Sequence, residues 1–273
     1  MVSRIARLRR VLRRYESAVV AFSGGVDSSL LAYVAAQEIP RVLAVTACSE
    51  TYSAAELRAA RAFARAHGIA HQVIRTRELA DGRFRRNRPD RCYHCKHELF
   101  SVLERIRADG RYAVVMDATN ADDLAHDVRP GHRAALRLGV VSPLAEAGMR
   151  KREVRAVSRR LGLSTHDRPA AACLASRVAF GTPISADVLR RVARAEEAVR
   201  LVWDGFFRVR HDAEDTARLE LLPQDFARFF RSVDVRRLAG CLHRLGYATV
   251  TFDLDGYMPA GVRHRLRQVP RRA

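Results

Sequence analysis

Read for hydrophobicity alone, the first half of the chain alternates short apolar runs with longer segments of helical period. Ala18-Val19-Val20-Ala21-Phe22 is apolar and uncharged, which predicts a buried strand. Residues 41–47, 71–76 and 112–118 read as three further strands, and residues 140–144 as a short fifth. Between them, residues 53–67 carry Ala55, Leu57, Ala59, Ala60, Phe63 and Ala64 at helical spacing and stop at Gly68. Residues 134–138 and 151–161 repeat the pattern, the second closed by Gly162. At the start, Ile5, Leu8, Val11 and Leu12 share one face of an amphipathic helix. Apolar strands alternating with helices predict an α/β fold, a doubly wound parallel sheet covered on both faces.

The pattern changes at Gly181-Thr182-Pro183-Ile184-Ser185. Ser185 is placed to cap a long amphipathic helix reaching about residue 203. Residues 206–211 and 217–222 alternate as strands, residues 225–232 and 235–245 read as helices, and residues 247–254 as a last strand. The expected division is a nucleotide domain over residues 1–181 and a smaller α+β domain over residues 182–273, without repeats or low-complexity linkers.

The chemistry enters at the first strand's end. Ser23-Gly24-Gly25-Val26-Asp27-Ser28 lies between that strand and an apolar helix running on from Ser29. A strand, a glycine turn and a helix aim backbone N–H groups and the positive end of a helix dipole at one point, so the stretch reads as an anion site. The glycines are expected to take positive φ and let the backbone approach a phosphate. No lysine stands where a Walker loop needs one, and the spacing is not Gly-x-Gly-x-x-Gly. The plain alternative is a strand-to-helix turn. The six residues resemble the pyrophosphate loop of the PP-loop ATP pyrophosphatases. That resemblance implies cleavage of ATP between its α and β phosphates and transfer of AMP to a substrate oxygen. In a parallel sheet, ligands gather at the carboxyl ends of the strands. Ala47-Cys48-Ser49 and Asp117-Ala118-Thr119-Asn120 are expected there too.

Composition narrows the setting. The formal net charge is +19, yet only Lys96 and Lys151 are lysines among 49 basic residues. So lopsided a choice of arginine suggests a GC-rich genome as much as a polyanionic partner, and apart from clusters at residues 7–14 and 263–272 the charge is spread along the chain. No apolar run approaches a membrane span, and the basic start lacks the apolar core of a secretory signal. Five cysteines without an export signal lead us to expect a reducing cytoplasm, where cysteine serves as ligand or nucleophile rather than in disulfides.

Cys92 and Cys95 stand three apart at a helix start, a position that favours thiolate. A redox pair would directly follow the first strand. Zinc wants four ligands, and no second Cys-x-x-Cys exists, although His94 or His97 could contribute. Cys173 is the natural third thiol. Three thiolates can hold a 4Fe–4S cluster with one iron open to carry a hydrosulfide. The bland alternative is three unrelated core thiols. Cys48 and Cys241 read as bland.

Taken together, Ser23 to Ser28, the Cys92/Cys95 pair, the Asn120/Asp122 loop with Arg129-Pro130-Gly131, Cys173-Leu174-Ala175-Ser176-Arg177, and Arg208-Val209-Arg210 resemble the LarE family over nearly the whole chain. LarE enzymes are ATP-dependent sulfur insertases of nickel-pincer nucleotide synthesis. They adenylate the carboxylates of a pyridinium biscarboxylic acid mononucleotide and convert them to thiocarboxylates. Some spend a cysteine of their own; others carry three cysteines and a 4Fe–4S cluster, and this sequence resembles the second kind. The resemblance implies that Ser23, Gly24, Gly25, Asp27 and Ser28 hold ATP and Mg²⁺. Arg208 and Arg210 would grip the substrate phosphate, which agrees with residues two apart on a strand pointing the same way. Arg177 would neutralise the acyl-phosphate or the leaving AMP. Cys92, Cys95 and Cys173 would bind the cluster, with Cys173 as an alternative sulfur donor. Glu196 and Glu220 match acidic positions of a second-domain site, with Asp225 the nearest candidate for a third. The family is homo-oligomeric. Two rivals stand beside this reading: a PP-loop tRNA thiolase, which the basic charge favours, and a non-catalytic nucleotide or iron–sulfur module.

Overall fold

A computed structural model describes residues 4–52, 54–125, 130–168 and 172–258. The chain forms two compact units, parting between Cys173 and Leu174.

In the first unit, chain order is α1 (Arg4–Leu12), β1 (Ser17–Ala21), α2 (Val26–Glu38), β2 (Arg41–Cys48), α3 (Ala54–Ala66), β3 (His71–Arg75), α4 (Gly82–Arg85), α5 (Arg91–Asp109), β4 (Val114–Met116), α6 (Ala121–Ala125), α7 (Pro130–Arg137), α8 (Pro143–Glu146) and α9 (Lys151–Arg160). The strands form one parallel sheet in the order β3-β2-β1-β4. Alternation along β1 splits the core between two faces. Ala18, Val20 and Phe22 join Leu8, Leu30, Leu31 and Val157 on one side; Val19 joins Leu99, Leu103 and Ala135 on the other. Two buried faces explain why the strand reads as an unbroken apolar run.

The fifth strand expected from residues 140–144 does not form. Val141 makes a single parallel bridge to Met116, and Pro143 starts the short helix α8 instead. Proline lacks the N–H a ladder needs and suits a first helical turn. Its side chain and Leu144 are buried, which explains the apolar run. The strand order reverses between β1 and β4, so the loops after these two strands flank the switch point where such sheets bind ligands.

The second unit holds α10 (Ala186–Arg200), β5 (Phe207–Asp212), β6 (Thr216–Leu221), α11 (Phe226–Ser232), α12 (Val235–Arg244) and β7 (Thr249–Phe252). Ser185 caps α10 by accepting from Val188 N at 3.2 Å. β5 pairs antiparallel with β6, and β6 parallel with β7. Val199, Trp203, Val209, Leu219, Phe229 and Leu242 fill a separate core. Among the described residues no helix is long and apolar enough to cross a membrane.

Candidate active site

The loop after β1 is built around one glycine. Gly24 has φ +72°, and a Cβ there would meet Ala60 Cβ of α3 at 3.1 Å. Gly25 has φ −77°, an ordinary extended geometry, so only one of the two glycines needs positive φ. The serines stitch the loop. Ser23 Oγ and Ser28 Oγ lie 3.0 Å apart, Ser23 N donates to Ser28 Oγ, and Ser28 Oγ donates to Gly25 O at 3.2 Å. Asp27 sits in the first turn of α2, where a carboxylate suits the helix dipole.

Three side chains from distant sequence converge on this loop. Asn120, after β4, donates from Nδ2 to Asp27 Oδ1 at 3.2 Å. Lys151, first residue of α9, pairs its ammonium with the other oxygen of Asp27. Arg168 donates from Nη1 to Gly24 O at 2.8 Å. Each is itself held. Asn120 Oδ1 accepts from the backbone of Asp122 and Asp123, Asp122 accepts from Lys151 N at 2.8 Å, and Arg155 grips the carbonyls of His166 and Arg168. The motif reading found Asn120 but missed Lys151 and Arg168. The signal open to it was that Lys151 is one of two lysines in the chain. Arg129, which carried part of the resemblance, lies outside the described residues, as does the basic cluster at residues 263–272.

Magnesium is bound through one or two carboxylates together with substrate phosphates and waters. Asp27, with the hydroxyls of Ser23 and Ser28 nearby, fits that demand for oxygen donors.

The cysteines depart from expectation. Cys92 is exposed and Cys95 half-buried at the start of α5. Cys95 Sγ lies 3.9 Å from Oε1 of Glu78, a carboxylate only 2% exposed. Burial, then the Glu78 charge, pushes the Cys95 thiol well above its ordinary range. At Cys95, desolvation and a buried acid thus act against the helix terminus. The charges of Cys92 and Cys173 also reach Cys95, and those of Cys95 and Cys173 reach the Tyr52 phenol, which burial holds protonated. The thiols thus share a neighbourhood, but among the described residues no three His, Cys, Asp or Glu side chains form a group that could hold a metal ion. The 4Fe–4S cluster that the resemblance implies is not shown by the described residues. Glu78 lies outside every motif and was not foreseen.

In the second unit the expected residues do meet, in ion pairs. Arg177 is buried and forks onto Glu196, with Nε–Oε1 at 2.9 Å and Nη2–Oε2 at 3.2 Å. Arg208 and Arg210 share one side of β5, as the alternating burial shows. Arg210 binds Glu220, at 2.7 Å from Nη2, and the Ser176 carbonyl. Glu220, fully buried, also takes Arg218 at 2.8 Å, and Arg218 reaches Asp212 and Asp253. Arg208 lies over the Phe206 ring at 4.5 Å, and burial, then the charge of Arg177, lowers its pKa. Glu196 and Glu220 are thus each paired with arginine. Asp225 pairs with Arg228 at 3.8 Å.

The comparisons bear on this geometry. The asparagine synthase family matches residues 8–179, which contain the whole Gly24 loop and its three visitors. The pyridinium-3,5-bisthiocarboxylic acid mononucleotide synthase of Lactiplantibacillus plantarum is 33% identical over 259 residues, 94% of this chain and 92% of that protein. The chain belongs to the LarE family. It is a PP-loop, ATP-dependent sulfur transferase. An uncharacterised protein of Synechocystis is 40% identical over 93% of this chain and 95% of its own length. One from Methanocaldococcus jannaschii is 32% identical over 74% of this LarE-family chain and 77% of its own.

Proposed function

We propose that the enzyme adenylates a carboxylate of a pyridinium biscarboxylic acid mononucleotide and then replaces AMP with sulfur, giving a thiocarboxylate. The observation that supports this reading most is the Gly24 loop at the sheet's switch point, with Asp27, Asn120, Lys151 and Arg168 gathered on it. A carboxylate is a poor electrophile. Its oxygen attacks the α phosphorus of ATP, the bond to the β phosphate breaks, and pyrophosphate leaves. The loop N–H groups and Lys151 face the charge that develops on those oxygens, and fixed dipoles there need no reorganisation. Magnesium, when bound through Asp27, would draw further charge from the phosphates.

A sulfur nucleophile then attacks the acyl-adenylate carbonyl and expels AMP. Cys173 is the candidate donor, within electrostatic reach of Cys95; its attack would give a thioester, and loss of the Cys173 Cα proton with cleavage of its Cβ–Sγ bond would release the thiocarboxylate and leave a dehydroalanine in the chain. Arg208 and Arg210 are the candidates for the substrate phosphate. Arg208 is half-desolvated beside Arg177, and an anion would relieve that cost. The enzyme acts as a homo-oligomer in a reducing, cytoplasmic setting.

The test is ATP–pyrophosphate exchange with the full chain. Exchange stimulated by the pyridinium nucleotide supports the reading. Exchange stimulated by tRNA instead would move the enzyme to the tRNA thiolases, and ATP binding without exchange would make it a non-catalytic module. Iron that co-purifies anaerobically and is lost in Cys92→Ala would restore a cluster route to the sulfur.

A further inference from the structure

A pocket of about 160 Å³ beside Glu78 takes no part in the steps above. It lies within the first unit. Glu78 sits in a short turn after β3, and its side chain lines the pocket. One oxygen is used: Oε1 accepts from Thr76 Oγ1 at 2.9 Å and lies 3.9 Å from Cys95 Sγ. The other, Oε2, is buried and has no hydrogen-bond partner among the described residues. A buried carboxylate oxygen left so is costly unless a donor reaches it.

The remaining lining says which donor. Asp81 and Arg83 cancel one another in a two-pronged pair, and His94 leans toward Asp90 at 3.5 Å. Arg77, exposed on the lining, has no carboxylate partner among the described residues. His97 and a second carboxylate, Glu98, complete the polar lining. Acid on the inner wall and an uncommitted guanidinium outside suit a zwitterion, ammonium inward and carboxylate outward. Pockets for drug-sized ligands run to about 300–1,000 Å³. This one is smaller, which excludes a nucleotide. Among the described residues no group is arranged to hold a metal, which disfavours a cation site.

The acid that would receive the ammonium also touches Cys95. Each turnover of a sulfur transferase consumes one sulfur atom, and the chain has only five cysteines. Repeated turnover needs sulfur from outside. We propose that this pocket captures a small thiol-bearing α-amino acid, with its ammonium on Glu78 Oε2 and its carboxylate on Arg77. The sulfur-bearing identity rests on the function proposed above; the zwitterion rests on the pocket alone.

Calorimetric titration of the full chain with L-cysteine, under anaerobic conditions, tests it. Saturable one-to-one binding is expected, with L-alanine weaker. Cysteamine, which lacks the carboxylate, and 3-mercaptopropionate, which lacks the ammonium, should each bind at least about 10-fold more weakly. Glu78→Gln should raise the cysteine Kd at least about 30-fold, since it removes the buried charge on which the ammonium rests. Should Glu78→Gln fail to fold, Arg77→Ala carries the test alone, because Arg77 is exposed. It should weaken cysteine about 10-fold and leave ATP–pyrophosphate exchange unchanged. No saturable binding to the wild type, or binding that Arg77→Ala leaves intact, overturns the assignment. Cysteamine binding as tightly as cysteine overturns the amino-acid class, and alanine doing so overturns the thiol. If cysteine binds but the pyridinium nucleotide stimulates no exchange, the pocket stands and the proposed reaction falls.

Discussion

Replacing Gly24 by alanine isolates what the phosphate loop demands of its backbone. At φ +72° an L-residue pays for the left-handed region, about 1–2 kcal/mol. The new Cβ would also lie 3.1 Å from Ala60 Cβ and 3.2 Å from Ala60 Cα. The Cα is backbone of α3 and cannot rotate aside, so crowding adds about 1–3 kcal/mol. Together these take about 2–5 kcal/mol from a stability of about 5–15 kcal/mol. With a urea slope of about 2–3 kcal/mol per molar, the upper part of the usual range, the midpoint of the first unit should fall by about 0.7–2.5 M. Gly25→Ala is the control. Its φ is −77°, and the new Cβ would meet only Ser23 Oγ at 3.4 Å. Lost freedom in the unfolded chain should leave it neutral or stabilised by about 0.4–1 kcal/mol. Urea unfolding followed by tryptophan-independent far-UV dichroism reads both, since the single Trp203 belongs to the second unit. If the loop instead shifts to relieve Gly24→Ala, stability survives but the N–H groups lose their aim, and ATP–pyrophosphate exchange should drop about 100-fold. Equal stabilities for the two variants, with exchange intact in Gly24→Ala, would refute the reasoning.

Lys151→Gln removes the charge on Asp27 and should lower exchange about 100-fold, with little change in the urea midpoint; Lys151→Arg should fail to rescue it, because a planar fork does not replace a point charge. Arg177→Ala should destabilise the second unit by about 3–5 kcal/mol by stranding buried Glu196, and adding Glu196→Leu should recover most of the loss; both are read from urea midpoints. His71 and His211 have pKa values lowered mainly by burial, so the unfolded chain binds more protons below the ordinary histidine pKa of about 6.5. Their contribution is present above that pH and is lost as pH falls through it toward the folded values. The urea midpoint should therefore decline from pH 7 to 5, and His71→Gln with His211→Gln should flatten that slope.

What the sequence made legible was local. The strand-turn-helix around Gly24 is contiguous, and its period and glycines carry the geometry. So do Ser185 as a cap and the shared face of Arg208 and Arg210, because each depends on spacing within one element. The misreadings are of two kinds. Residues 140–144 are apolar because Leu144 and Pro143 are buried under a short helix, and burial alone does not distinguish that from a strand. The Cys95 thiolate is an inference from its own helix alone, while the burial and the Glu78 charge that push the thiol the other way come from packing and from a turn 17 positions earlier.

The second kind matters more for the site. Lys151 reaches Asp27 across 124 positions and Arg168 reaches Gly24 across 144, so no local pattern could join them. Arg177 shows the converse. Its nearness to Cys173 in sequence suggests a charge for the acyl-phosphate or the leaving AMP, and in the structure it is buried in a fork with Glu196. Arginine fits that closed pair because its planar donors match both carboxylate oxygens at once. Lysine suits the opposite task at Asp27. It offers one compact charge on a flexible stem, able to leave a carboxylate for a phosphate without breaking a bidentate lock. In a chain where 47 of 49 basic residues are arginine, a lysine at the phosphate loop is the position where the physics of the two side chains differs most.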